Sequence, residues 1–249
     1  MIRRFHVPVG TLDGTTIALE GPLAHRLVKV LRIGAGDEVM LFDGSGADVR
    51  VTIDRATDRR IDATVLERLA GPEEPRTRVH LYQSITKGER FEWLVEKATE
   101  LGVHRIVPLI AARAVVKTAS DGNRMGRWQR IAVEAAEQCE RSAVPAIGAP
   151  EPLGVSLTSA PGLLLLPYES ADHTAPSVQY VLAERIDHLY ASEAVSIFIG
   201  PEGGYEPAEV EAAQAAGAAV VTLGDRVLRS ETAGIVALTL VMQATGQLG

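Results

Sequence analysis

The residues best placed to do chemistry lie in the last quarter of the chain. Gly200-Pro201-Glu202-Gly203-Gly204 follows the apolar run Val195-Ser196-Ile197-Phe198-Ile199. Further on comes Leu223-Gly224-Asp225-Arg226-Val227-Leu228-Arg229-Ser230-Glu231-Thr232-Ala233-Gly234. Glycine lets backbone approach a ligand closely and tolerates positive φ, and Pro201 stiffens its turn. Two glycine-bearing loops at strand C-termini predict a backbone-lined pocket, because ligands of open α/β sheets bind at those ends. The first loop equally suits a tight strand-to-helix connection. Ser230 or Glu231 is equally suited to cap the helix that begins there, with exposed N–H groups facing the loop mouth.

Several chemistries are excluded or disfavoured. A phosphate-binding P-loop needs lysine followed by serine or threonine, which the first loop lacks. The Gly-x-Gly-x-x-Gly of a dinucleotide site is also missing there, and Gly34-x-Gly36 reads as a turn entering a strand. The 6 histidines show no His-x-x-x-His spacing, so no metal site is expected. No Gly-x-Ser-x-Gly elbow occurs. The single cysteine, Cys139, rules out an intramolecular disulfide. Its neighbours Glu137 and Glu140 disfavour a thiolate, which makes it structural.

The elements that must position the two loops follow from periodicity. Ala24 to Leu31 reads as a short helix. Glu38–Phe42, Asp48–Ile53 and Arg60–Glu67 read as strands, with Asp43-Gly44-Ser45-Gly46 as a turn, and together they predict a small antiparallel barrel. Gly71-Pro72-Glu73-Glu74-Pro75 breaks every pattern and reads as a linker between domains 1–71 and 76–249. Beyond it, strands at Val79–Ser84, Arg105–Ile110, Gly162–Leu166, Val195–Ile199 and Ala218–Leu223 alternate with helices. Phe91, Leu94, Val95, Ala98 and Leu101 mark one helix, with Gly102 at its C′ position. Trp128, Ile131, Ala132 and Ala135 mark another, Pro207–Ala216 a third, and a last one starts near Glu231. Alternation of this kind predicts an α/β domain with a mainly parallel sheet.

A 46% apolar composition supports a real core in a chain of 249 residues. No signal-peptide run and no membrane-length apolar stretch is visible, so the expected address is the cytosol. The net charge of −7 argues mildly against nucleic acid. Positive charge nevertheless gathers at Arg3-Arg4, at Arg26, Lys29 and Arg32, at Arg124, Arg127 and Arg130, and at Arg226 and Arg229. These are either a local basic surface or scattered solvated charges.

The order of these blocks resembles the trefoil-knot (SPOUT) methyltransferases, and within them the 16S ribosomal RNA uracil-N3 methyltransferases. The blocks are Ile199-Gly200-Pro201-Glu202-Gly203-Gly204, Leu223-Gly224 and Leu228-Arg229-Ser230-Glu231-Thr232-Ala233. Arg3-Arg4-Phe5, His25 to Arg32, Gly36-Asp37-Glu38, Phe42-Asp43-Gly44, Lys97 to Val103 and Ala135 to Cys139 are similar too, so the resemblance covers nearly the whole chain. It implies a PUA-like RNA-binding β-barrel at residues 1–71 and a trefoil-knot methyltransferase domain at 76–249, against the general rule that chains avoid knots. It further implies a homodimer, S-adenosylmethionine as cofactor, and 16S rRNA of the small ribosomal subunit as substrate.

The cofactor residues so implied are Leu166, Ile199, Gly200, Pro201, Glu202, Gly203, Gly204, Leu223, Gly224, Val227, Leu228, Arg229, Ser230, Thr232 and Ala233. Arg4 and Arg229 are expected to stabilise an anion or position RNA, and Glu202 and Glu231 to orient groups or act as base. RNA contacts are expected from Arg3, Arg4, Arg26, Lys29, Arg32, Lys87 and Arg113. The cofactor carries a sulfonium and no phosphate, which fits loops without a P-loop lysine. Two positions depart from the family pattern. Glu140 stands before Arg141 where glycine is usual, and Tyr205-Glu206-Pro207 replaces a smaller capping hydroxyl, leaving Glu206 as the cap. The competing readings are a knot-fold methyltransferase of another RNA nucleotide and a non-catalytic RNA-binding or ribosome-assembly protein.

Overall fold

A computed structural model describes residues 2–114, 122–169, 175–185 and 194–248. They form two compact units, Met1–Glu74 with Ala136–Val144, and Pro75–Ala135 with Pro145–Gly249.

The first unit is built on a five-stranded sheet of β1 (Arg3–His6), β2 (Thr16–Glu20), β3 (Glu38–Phe42), β4 (Ala47–Ala56) and β5 (Arg60–Ala70), in the order β1-β3-β4-β5-β2. The expected all-antiparallel arrangement needs one correction, since β1 pairs with β3 in parallel. Alternation in these strands places Phe5, Val39, Leu41, Val49, Val51 and Ile53 in one apolar core. The single helix expected over 24–31 is two pieces, α1 (Gly21–His25) and a π-helical turn at Arg26–Val30. Arg32 then takes φ 57.

The basic residues of this unit are mostly engaged. Arg4 makes a two-pronged ion pair with Asp48 at 2.6 and 2.9 Å and also donates to Ser142 Oγ at 3.0 Å. The two side chains are 10% and 5% exposed, so the pair is buried. Arg26 pairs with Glu137 at 2.7 Å, and Arg141 with Glu74 at 2.5 Å. Arg3 donates to the Leu31 carbonyl at 2.9 Å. Lys29 lies 3.9 Å from Asp58, an exposed contact of the kind that contributes little.

The second unit carries β6 (Arg78–Ser84), β7 (Arg105–Ile110), β8 (Ala146–Ile147), β9 (Glu151–Pro152), β10 (Leu163–Pro167), β11 (Ala194–Ile199) and β12 (Ala219–Val221). The sheet order is β12-β10-β11-β6-β7-β8, with β9 also on β7, and every pair is parallel. The chain runs outward from β6 to β7 and β8, then restarts on the other side with β10 and β11. Order therefore reverses beside β6, the place where such sheets bind ligands. The unalternating runs of β10 and β11 are buried almost throughout, as strands covered on both faces must be. Phe198 stacks on Tyr82 with ring centroids 4.6 Å apart, and burying such a ring contributes about 2 kcal/mol.

The helices of this unit are α2 (Arg90–Glu100), α3 (Gly122–Gln138), α4 (Leu153–Ser159), α5 (Val178–Glu184), α6 (Pro207–Ala215) and α7 (Ser230–Ala244), with the last residues of α3 belonging to the first unit. In α2, Phe91, Leu94, Val95 and Ala98 form the buried stripe, and Trp93 falls off it at 44% exposure. Helix α2 ends as its glycine predicts. Gly102 has φ 89, and Val103 N–H donates back to the Ala98 carbonyl at 3.0 Å.

Candidate functional site

The carboxyl ends of β10, β11 and β12 open on a cavity of about 300 Å³. Most of its lining comes from the two glycine loops singled out in the sequence, the one that follows Ile199 and the one that follows Leu223.

The first loop is fastened from within. Gly204 adopts φ 68 and its N–H donates to the Pro201 carbonyl at 2.9 Å. A Cβ on Gly204 would stand 1.9 Å from Glu169 Oε1, and one on Gly200 would stand 3.1 Å from the Tyr205 ring. Glycine is required at 204 by conformation and by crowding together. Tyr205 is buried beneath the loop. Burial, then the carboxylates of Glu209 and Glu169, hold its phenol well above the ordinary value, so it stays neutral.

Ser230 ties the two loops to the sheet. Its hydroxyl donates to the Gly200 carbonyl at 2.5 Å and accepts from Gln83 Nε2 at 2.8 Å. This corrects the capping expectation. The N-cap of α7 is Arg229, with no side-chain hydrogen bond to the first-turn amides. Ser230 and Glu231 both lie inside the helix, and the Ser230 hydroxyl is committed to the Gly200 carbonyl and to Gln83 of β6. Glu206 does occupy the N-cap position of α6, where its own N–H donates to the Glu209 carboxylate at 2.9 Å.

Of the fifteen sequence-predicted cofactor residues, Ile199, Gly200, Pro201, Glu202, Gly204, Leu223, Gly224, Val227, Leu228, Arg229, Ser230 and Ala233 line the cavity. Leu166, Gly203 and Thr232 do not. Leu166 is fully buried in the apolar core of the second unit. Gly203 turns outward, where its carbonyl accepts from Arg113 at 3.2 Å. Thr232 lines a neighbouring cavity. Pro167, Tyr168, Glu169, Thr222, Asp225 and Arg226 also line the cavity without having been expected. A signal existed for the first three, which directly follow an apolar strand of the same type as β11.

The two candidate carboxylates share a partner that sequence reasoning missed. Arg90, at the start of α2, bonds Glu202 Oε1 at 3.1 Å and lies 3.7 Å from Glu231 Oε1. Glu231 is buried, and its Oε2 has no hydrogen-bond partner among the described residues. A buried side-chain oxygen without a partner is uncommon in folded proteins and makes Glu231 a candidate to meet a donor from a ligand. Arg229 is exposed on the rim. Arg4 belongs to the first unit, where Asp48 holds it. Among the described residues no group of three or more His, Cys, Asp or Glu could hold a metal ion. Among them, too, no helix is long and apolar enough to cross a membrane.

The class that this fold and cavity define is also the one found by comparison with known families. Residues 72–242 match the RNA methyltransferase domain, and residues 19–66 match the RNA methyltransferase PUA domain. The chain therefore belongs to the RNA methyltransferase family, in the group of the ribosomal RNA small subunit methyltransferases E. It is 34% identical over 245 residues to Ribosomal RNA small subunit methyltransferase E of Mycobacterium bovis, covering 95% of this chain and 90% of that protein. The counterpart in Bacillus subtilis is 28% identical over 244 residues, covering 94% and 92%. A crystal structure of Ribosomal RNA small subunit methyltransferase E from Neisseria gonorrhoeae, bound to S-adenosyl methionine, superposes with a TM-score of 0.84. The identity is 30%, over 98% of both chains.

Proposed function

We propose that this protein is an S-adenosylmethionine-dependent methyltransferase acting on uracil N3 in 16S rRNA of the small ribosomal subunit. The observation that carries the reading is the convergence of the two glycine loops on one cavity that has no phosphate-binding signature. The similarity to small-subunit rRNA methyltransferases, one of them holding S-adenosyl methionine, supports both cofactor and substrate.

The residues present fit that cofactor. Loop backbone at Gly200 and Leu223 runs along the cavity beside an adenine, the Gly224 N–H being held by Thr222, and the uncapped first turn of α7 offers amides to a carboxylate. When bound, the cofactor supplies an electrophilic methyl group.

Uracil N3 carries a proton at neutral pH, so the chain must accept that proton or stabilise the anion left behind. Glu231 is our choice for the acceptor, because its Oε2 is buried and unpartnered. Arg90 orients it, and Glu202 in turn bonds Arg90. Arg229 supplies positive charge for the anionic base. We leave Arg4 out of the chemistry, since its guanidinium is bound to Asp48. The first unit serves to hold RNA, with Arg3, Arg26, Lys29 and Arg32 as its contacts, and Lys87 and Arg113 add contacts from the second unit. We further propose a homodimer working in the cytosol.

The test is methyl transfer to small subunits, mapped by mass spectrometry of the 16S rRNA. The expected product is a single 3-methyluridine, lost in Glu231→Gln and reduced in Arg229→Ala with cofactor binding retained. Methylation of another nucleotide would favour the other-nucleotide reading, and no methylation the assembly-protein reading.

A further inference from the structure

A second cavity, a wide and open hollow of about 690 Å³, adjoins the first, and Arg229 lines both. It is walled by Lys87, Arg90, Trp93, Glu231 and Thr232 as well. We infer that this cavity takes the acceptor nucleobase, stacked on the indole of Trp93. The inference rests on the proposed RNA methylation and adds to it the residue that holds the base.

Four observations carry it. Trp93 is 44% exposed, although an indole usually contributes far more by being buried. The apolar stripe of α2 explains its neighbours Phe91, Leu94 and Val95 but leaves Trp93 outside. The only other tryptophan, Trp128, is 2% exposed and packs on Phe91 at 4.4 Å. An exposed aromatic face with cations around it is how proteins hold an unstacked base.

The second observation is the polar lining. Uracil presents one N–H between two carbonyl oxygens, an acceptor–donor–acceptor edge. Glu231 Oε2 is a buried acceptor without a partner, Arg90 lies 3.7 Å from the other oxygen of that carboxylate, and Arg229 shares the lining. The third is continuity, because a base in this cavity borders the methyl-donor cavity at Arg229. The fourth is charge. Lys87 and Arg229 bring positive charge to the lining beyond Arg90, which Glu202 already holds, and two such cations can meet the phosphates flanking a base.

The experiment compares wild type, Trp93→Phe and Trp93→Ala in methyl transfer to small subunits, with cofactor affinity by calorimetry and mass by sedimentation. Trp93→Ala is expected to lower kcat/KM for the subunit roughly 10- to 100-fold, the range of one lost base stack. Trp93→Phe recovers most of this, and cofactor affinity stays within about twofold in both, since stacking acts on the base alone. A second readout needs no turnover. Uridine 5′-monophosphate is expected to quench tryptophan emission in wild type but not in Trp93→Phe, where Trp128 alone emits.

Unchanged kcat/KM in Trp93→Ala, with an active wild type, overturns the inference and leaves the function standing. Equal quenching in wild type and Trp93→Phe overturns it too. Equal losses in both variants with a lower sedimenting mass would make Trp93 a contact between chains, and overturn it as well. A wild type that transfers no methyl group to the subunit removes the functional reading and this inference together.

Discussion

The loop after β11 buries Pro201 and Gly204, whereas the loop after β12 exposes every residue from Gly224 to Val227. Both carry a glycine at positive φ, with φ 68 at Gly204 and φ 105 at Gly224. The reasons differ. At Gly204 a side chain meets Glu169, while at Gly224 an added Cβ finds nothing within 4 Å. One loop is a rigid template tied to the sheet through Ser230. The other holds its shape by backbone preference and by the Thr222 hydroxyl, which accepts the Gly224 N–H at 3.1 Å. Val227, at 79% exposure, has no packing role that would explain an apolar residue there, which agrees with a wall completed by a ligand.

The contrast predicts a graded series. Gly204→Ala adds a left-handed alanine and displaces Glu169, and should cost about 2 kcal/mol or more in denaturant unfolding, with cofactor affinity falling strongly. Ser230→Ala leaves the Gly200 carbonyl without its donor and takes from Gln83 Nε2 the nearer of its two acceptors, the Ser84 carbonyl remaining at 3.2 Å. A loss of about 1–2 kcal/mol is expected, read in the same way. Gly224→Ala carries the conformational term alone, about 1 kcal/mol, with no clash to relieve. If Gly204→Ala and Gly224→Ala cost the same, the distinction between a packed and an open loop fails. The smallest effect is a gain. Glu140 adopts φ 65 at the end of α3, and Arg141 N–H donates to the Ala136 carbonyl at 3.1 Å, the same closing bond as at Gly102. Glu140→Gly should stabilise by roughly 0.5 kcal/mol, the relief of strain less the added freedom of the unfolded chain.

Glu140 also marks what sequence could and could not reveal. The departure from glycine was visible, but its meaning, a left-handed C′ residue, is not a property of spacing. The long strands and helices of the second unit were legible because their apolar runs and stripes are strong. Arg3–His6 and Thr16–Glu20 were not, being short edge strands whose pairing is decided by distant partners. The cavity loops were legible because glycine is placed by backbone need. Arg90 was invisible, since it meets Glu202 and Glu231 only after the sheet brings distant segments together. The capping role proposed for Ser230 failed for a related reason. A serine at a helix start bonds whichever partner lies nearest, and here folding brings Gly200 and Gln83 to it.

The central claim is that the two loops together hold S-adenosylmethionine, and titration calorimetry of the full chain with that molecule tests it most directly. Saturable heat at one cofactor per chain, weakened strongly by Gly204→Ala and less by Gly224→Ala, is the predicted result. No heat and no thermal shift in the wild type would contradict it.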